Sequence, residues 1–145
     1  MARRYLLLLL LTAVSLGLSA QSSTASPVGR WRTLDDQTGE VKSVVEIYAQ
    51  GDKYFGRIAE ILTAQRDAVC DKCPGKQQGS PIKGLVIIKN LARDGTGWSG
   101  GTILDPQKGA EYRLSAWFDS DPDVLYIRGK HWTGLYRTQK WSRDH

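Results

Sequence analysis

Turn signals recur along this chain at short, regular intervals, and that spacing limits it to a fold built from short strands. Asp35-Asp36-Gln37-Thr38-Gly39, Gln50-Gly51-Asp52, Arg93-Asp94-Gly95-Thr96-Gly97, Asp105-Pro106-Gln107-Lys108-Gly109 and Asp119-Ser120-Asp121-Pro122-Asp123 all gather residues that reverse a backbone. Gly supplies positive φ, Pro presets its own φ, and Asp bonds back to nearby N–H groups. Between the turns lie β-branched and aromatic runs with a period of two. Tyr112, Leu114, Ala116 and Phe118 fall on one face, and Glu111, Arg113, Ser115 and Trp117 on the other. Val45, Ile47 and Ala49 alternate in the same way with Val44, Glu46 and Tyr48. Alternation places successive side chains on opposite faces of a sheet.

The pattern predicts about eight strands, near residues 28–34, 41–49, 53–61, 84–91, 97–104, 110–118, 123–129 and 134–141. All connections but one are short enough for hairpins. Successive hairpins make an antiparallel meander, and closing a meander into a barrel removes its exposed edges. The exception is Leu62 to Lys83, which holds both cysteines together with Pro74, Gly75, Gly79 and Pro81. It reads either as an irregular cap over one end of the barrel or as a functional lid.

The N-terminus has a different character. Arg3 and Arg4 precede an almost wholly apolar stretch from Tyr5 to Leu18, and small and polar residues follow from Ser19 to Ser26. That order is the signature of a secretory signal peptide, and the stretch is short for a bilayer span of roughly 20 residues. Cleavage after Ala20 or after Ala25 fits a small-x-small rule. Residues 1–25 are therefore expected to be removed, leaving residues 26–145 as one domain in the periplasm or outside the cell, with no stable membrane span. The whole chain carries a formal charge of +5. Taking Arg3 and Arg4 from its 20 basic residues leaves 18 against 15 acidic ones, a formal +3. These charges are interspersed along the sequence, so no nucleic-acid footprint is expected.

Cys70-Asp71-Lys72-Cys73 is the sharpest local feature. In an exported chain a local disulfide is the default for such a pair. The alternatives are thiol redox chemistry and metal binding. Redox chemistry calls for a cysteine at a helix N-terminus, whereas Pro74-Gly75 follows here and no thioredoxin-like βαβ pattern surrounds the pair. A structural zinc site calls for about four protein ligands, and the two cysteines supply half of one. No metal or cofactor is expected.

Gly29-Arg30-Trp31 opens the first strand and Arg137 lies on the last, which a barrel brings together. Trp31 and Arg137 are therefore expected to stack and plug one end. Trp98-Ser99-Gly100-Gly101 reads as a bend in the barrel or as a place where a ligand nears the backbone. The aromatic side chains of Trp98, Tyr112, Trp117, Tyr126 and Tyr136 are candidates for lining a ligand pocket. The sequence holds no Gly-x-Ser-x-Gly, no His-Glu-x-x-His and no phosphate loop, and no catalytic residues are assigned.

In order along the chain, the sequence has Gly29-x-Trp31, Asp36-x-x-Gly39, Gly56-x-Ile58, Cys70-x-x-Cys73-Pro74 and Pro81-x-x-Gly84-Leu85. It continues with Trp98-Ser99-Gly100-Gly101-x-Ile103-x-Asp105-Pro106, Gly109-x-x-Tyr112, Leu125-x-Ile127-Arg128-Gly129 and Arg137-Thr138-Gln139-x-Trp141. Together these resemble the small exported bacterial proteins grouped as domain of unknown function 2147. The resemblance implies a lipocalin-like (calycin) antiparallel barrel and a periplasmic or secreted home. It also implies that Trp31 and Arg137 are the barrel-closing pair. It supplies no activity.

The expected function is a non-enzymatic barrel that binds a small, partly apolar molecule beneath the loop from Leu62 to Lys83. The alternatives are a redox or metal role for Cys70 and Cys73, and a structural protein of the cell envelope. The last expects a packed barrel with an exposed aromatic patch that includes Trp132 or Trp141. No protein partner is named by any of these residues.

Overall fold

A computed structural model describes residues 25–145 of the protein. Apart from Ala25, the segment read as a signal peptide lies outside the described residues. Eight strands follow one another: β1 (Gly29–Leu34), β2 (Val41–Gln50), β3 (Lys53–Ile61), β4 (Val86–Asp94), β5 (Gly97–Asp105), β6 (Ala110–Phe118), β7 (Val124–Lys130) and β8 (Tyr136–Arg143). Each pairs antiparallel with the next, and β1 pairs with β8, so the sheet closes into a barrel with strands in sequence order. No helix among the described residues is long and apolar enough to cross a membrane.

The architecture is the expected one, with shifts at two strands: β4 runs Val86–Asp94 where the pattern predicts residues 84–91, and β8 is displaced as well. β8 begins at Tyr136, two residues later than the sequence pattern suggests. Residues 131–135 form the turn before it: the His131 N–H donates to the Leu135 carbonyl (2.7 Å) and the Gly134 N–H to the His131 carbonyl (2.9 Å). The up-and-down path places the β1–β2, β5–β6 and β7–β8 turns at one end of the barrel, together with the long β3–β4 connection. The β2–β3, β4–β5 and β6–β7 turns lie at the other.

Two turns at the first end share a sequence, Asp-x-Gln-x-Gly, and a geometry. In the first, Asp35 Oδ1 accepts from the N–H groups of Gln37 and Thr38, both at 2.9 Å. In the second, Asp105 Oδ1 accepts from Gln107 (3.0 Å) and Lys108 (3.3 Å). Gly39 and Gly109 close them at φ values of 72° and 65°, conformations that a side chain disfavours.

The double glycine in β5 makes a bend. Gly100 has φ 76° and Asn90, on the neighbouring strand, φ 56°. A Cβ on Gly101 would stand 2.7 Å from the Leu91 nitrogen. The missing side chain thus lets two backbones approach at a bulge, and these glycines serve the barrel wall.

The core alternates along most strands; the exceptions are Val44 beside Val45 and Ile87 beside Ile88, buried as neighbours where the strand pairing is irregular, and Ala49, which is exposed. Trp31, Val45, Ile47, Ile58, Leu114, Ala116, Leu125, Ile127 and Trp141 are all buried. One end is sealed by rings. The Trp31 and Phe118 centroids are 5.9 Å apart, Phe118 and Trp98 5.6 Å, and Trp98 and Tyr54 6.3 Å, the last two edge to face. Such tilted arrangements favour the aromatic quadrupoles over a face-to-face stack. The Trp31 Nε1–H donates to the Pro27 carbonyl at 2.9 Å.

Arg143 covers this seal, with its guanidinium carbon 4.2 Å from the centre of the Trp31 ring. Gly29 stands beneath it: a Cβ there would lie 2.8 Å from an Arg143 terminal nitrogen. The barrel-closing set is therefore Gly29, Trp31 and Arg143, which corrects the expected pairing of Trp31 with Arg137. The reason is direction. β1 starts at the sealed end and β8 finishes there, with Trp31 opposite Arg143 in register. Arg137 is six residues earlier on β8, about 20 Å away at the usual strand rise. It sits at the other end, in an ion pair with Asp36.

Candidate ligand-binding site

The barrel is hollow at the end opposite its aromatic seal. A cavity of about 460 Å³ opens there, within the size range of small-molecule sites. Its walls include Val45, Ile58, Ile103, Ile127 and Trp141. Inward-facing Gly129 helps to make the space: a Cβ added to it would lie 3.3 Å from the Cβ of Tyr112.

Polar groups in the wall are largely satisfied by one another. The Thr33 and Ser43 hydroxyls are 2.7 Å apart and buried. The Trp141 Nε1–H donates to Gln139 Oε1 at 2.9 Å, and the Gln139 amide donates to both Asp36 oxygens at 2.9 Å. Asp36 also pairs with Arg137. A chain of contacts thus runs from the buried indole to the charged rim and leaves the aliphatic wall without competing donors. Lys42, Lys108, His131 and Arg137, which lie at or beside strand ends at the mouth, and Gln65 and Gln107 supply its polar lining. His131 is hydrogen-bonded through Nδ1 to Thr133 Oγ1 (2.9 Å).

The connection between β3 and β4 folds across this end. Val69 bridges to Pro81, the Cys70 N–H donates to the Ser80 carbonyl (2.8 Å), and the Gly79 N–H donates back to the Cys70 carbonyl (2.9 Å). A short 3-10 helix, Gly75–Gln77, follows the cysteines. Thr63, Gln65, Ala68 and Ile82 reach the cavity, so the segment is both a cap and part of the lining. Its far side rests on the β5–β6 turn so tightly that a Cβ on Gly109 would overlap the Lys72 carbonyl.

Cys70 and Cys73 are joined as a disulfide and buried. Thiol–disulfide exchange needs access to a sulfur, which burial denies. Among the described residues, no three of His, Cys, Asp and Glu gather as a possible metal site. The bond ties the cap where the cap touches the barrel, with Cys70 beside the Pro106 carbonyl.

The five aromatic candidates separate into three groups. Tyr112 lines the cavity, and Tyr136 touches its rim while its exposed ring lies against Arg128 on the outside. Trp98 faces inward but belongs to the seal at the opposite end, where Tyr54 and Phe118 pack on it. Trp117 and Tyr126 are on the outside of the barrel, stacked on each other with centroids 5.4 Å apart. Their place in a pocket is corrected by strand parity: Leu114, Ala116 and Phe118 face in, so Trp117 faces out. Trp141, a candidate for an exposed patch, is buried in the cavity wall, whereas Trp132 is 84% exposed. The sequence reading missed Thr33, Ser43, Gln139 and the aliphatic wall. The signal for Thr33 and Gln139 was available, since each shares the parity of an inward-facing tryptophan on its own strand.

Residues 29–143 match the family described as uncharacterized protein conserved in bacteria (DUF2147). No curated protein matches the chain by sequence. Among solved structures, it is similar to protein HP1028 from the human pathogen Helicobacter pylori, described as belonging to the lipocalin family. The TM-score is 0.73 at 19% identity, with 83% of this chain and 84% of the other covered. At that identity the likeness concerns the fold.

Proposed function

The chain belongs to the DUF2147 family of bacterial proteins, and we propose that it is a non-enzymatic barrel that binds a small, partly apolar molecule in the periplasm or outside the cell. The observation that carries this reading is the cavity of about 460 Å³ at one end of an otherwise sealed barrel. Its aliphatic wall gains by excluding water from an apolar ligand, at roughly 25 cal/mol for each Å² buried. Its mouth offers Lys42, Lys108 and His131 to a polar or anionic end of the same molecule. The lipocalin-family neighbour supports a binding role by analogy of fold. The charged, apolar and then small-residue order of the N-terminus supports export.

Native mass spectrometry of the protein taken from its own cell envelope tests the reading, together with titration by anilinonaphthalene sulfonate in solution. A reproducible extra mass that is lost on denaturation is expected, as is probe fluorescence that saturates at one site. Ile103→Trp, which places an indole in the cavity, is expected to weaken probe binding about tenfold or more, a change of ~1.4 kcal/mol or above. Equal native and denatured masses together with no saturable probe binding would overturn the proposal.

A further inference from the structure

The outside of the barrel has two unlike faces. On β1, β2 and β3, the arginines meet carboxylates. Arg30 pairs with Glu60 and Asp144, Arg32 with Asp144, and Arg57 with Glu46. On β6, β7 and β8, the strands carry one carboxylate, Glu111, against Arg113, Arg128, Lys130, Arg137, Lys140 and Arg143. Arg137 and Arg143 are paired with Asp36 and Asp123. Arg113, Arg128, Lys130 and Lys140 have no salt bridge among the described residues, and all four project outward.

These cations are interleaved with rings. The Arg128 guanidinium is 4.9 Å from the Trp117 ring and 4.5 Å from the Tyr136 ring, and Lys140 Nζ is 5.4 Å from the Tyr126 ring. The ladder leads to the tip of the β7–β8 turn, where the largest exposed apolar side chains stand. Trp132 is 84% exposed, Leu135 76% and Tyr136 63%. The hydrogen bonds across residues 131–135 hold this tip in shape, so the indole is presented by an ordered turn.

An exposed indole beside a leucine, backed by arginine, lysine and tyrosine, is the combination that settles at a bilayer surface. Aromatic rings with polar edges favour the headgroup level, and basic side chains gain from anionic headgroups. The apolar part is three exposed side chains at one turn, whereas a stable protein interface takes roughly 800 Å² and about 20–30 residues from each partner. We infer that the β7–β8 tip and the outer face of β6–β8 dock the protein onto an anionic lipid surface. Trp132 and Leu135 enter the interface, and Arg113, Arg128, Lys130 and Lys140 face the phosphates. His131, Leu135, Tyr136 and Arg137 also form part of the cavity mouth. Docking therefore brings the mouth to the bilayer, where an apolar ligand dissolves. Only this last purpose rests on the proposed function; the docking stands on the surface itself.

Flotation with lipid vesicles tests the inference, using the protein as its host exports and processes it. Wild type is expected to float with phosphatidylethanolamine–phosphatidylglycerol vesicles at low salt, and to be released from them at high salt. It is expected to float poorly with phosphatidylcholine vesicles. Trp132→Ser/Leu135→Ser is expected to reduce flotation at least about tenfold, since burying either side chain is worth more than that factor. Arg113→Gln/Lys130→Gln is expected to reduce the preference for phosphatidylglycerol about tenfold or more, with Arg128 and Lys140 left to sustain the rest. All four positions are exposed, so both variants should keep the thermal midpoint of the wild type. Absence of wild-type flotation on the anionic vesicles overturns the docking, as does undiminished flotation of Trp132→Ser/Leu135→Ser. Titration with anilinonaphthalene sulfonate in the absence of vesicles separates the two readings. Probe binding without flotation removes the docking alone, and flotation with neither saturable probe binding nor an extra native mass removes the cavity reading alone.

Discussion

The two ends of the barrel are made by the same strands and have opposite interiors. β6 sends Phe118 into the seal at one end and Tyr112 into the cavity at the other. β8 sends Arg143 over the Trp31 ring and Arg137 to the rim. At the sealed end, four rings fill the lumen, and the guanidinium groups of Arg143 and Arg93 lie over Trp31 and Trp98. At the open end, aliphatic side chains and Gly129 stand where rings would close it, and the polar groups are tied to one another at the wall. The difference shows that closing a sheet makes a lumen but does not decide whether it is filled. That is set by a few large or missing side chains along each strand's inward row.

The sharpest way to break this comparison is to remove a ring from the sealed end. Trp31→Ala is expected to lower unfolding free energy by about 3–5 kcal/mol, the range for deleting a buried tryptophan. Tyr136→Ala, at the open rim, is expected to change it by less than about 0.5 kcal/mol, as exposed substitutions usually do. Denaturant melts of both variants check the contrast, and equal losses would mean that the rim contributes to the core. Next in size is the tie of the cap. Cys70→Ser/Cys73→Ser should cost about 2 kcal/mol from loop closure and should weaken probe binding, because the cap residues Gln65, Ala68 and Ile82 line the cavity.

A smaller effect divides the seal itself. The indole N–H of Trp31 is bonded to the Pro27 carbonyl, whereas that of Trp98 is buried with no partner among the described residues. Trp31→Phe removes a hydrogen bond and Trp98→Phe removes an unsatisfied donor. Beyond the shared loss of volume, Trp31→Phe is therefore expected to be the more costly by about 1 kcal/mol. Equal thermal midpoints for the two variants would show that the Pro27 bond adds nothing.

The same contrast explains what the sequence could and could not say. The strands were legible because alternation and turn chemistry are local: Asp35 to Gly39 and Asp105 to Gly109 reverse the chain through their own backbones. The seal was half legible. Gly29 and Trp31 are neighbours in sequence, but their partner depends on how far β8 runs past Trp141. A strand judged to end at residue 141 leaves Arg143 out and makes Arg137 the obvious arginine. The cavity was least legible. Trp117 and Tyr112 have similar chemistry and differ by an odd number of positions, so one faces out and the other in. Which parity is inward is decided only when Leu114 and Ala116 find the core. The cavity also depends on what is absent at Gly129, and on aliphatic wall residues that look like ordinary core.

The finest distinction between the ends is electrostatic. Two carboxyl groups are held below the usual carboxylate range, one at each end. Asp144, beyond β8 at the sealed end, is held down by hydrogen bonds from the Arg32 and then the Arg30 guanidinium groups, against some burial. Asp35, in the β1–β2 turn at the open end, is held down by the backbone N–H groups of Thr38 and then Gln37. Both favour the charged form in the folded protein. The stability each gives is fully present above the unfolded carboxylate pKa and is lost as pH falls through the lower folded value. Thermal midpoints of Asp144→Asn and wild type should therefore differ by a constant amount above about pH 5, begin to approach each other near about pH 4, and converge only once pH has fallen through the lower folded value. Salt separates the causes. Side-chain ion pairs at a surface are screened, whereas backbone N–H groups stay fixed beside the carboxylate. Titration of the two carboxyl groups by NMR should show the Asp144 pKa rising towards its ordinary value at high salt while that of Asp35 moves less. If the two rise together, the charge of nearby Lys42, a minor contributor at Asp35, outweighs the turn's own N–H groups. The open-end turn would then be held by the same kind of force as the sealed end.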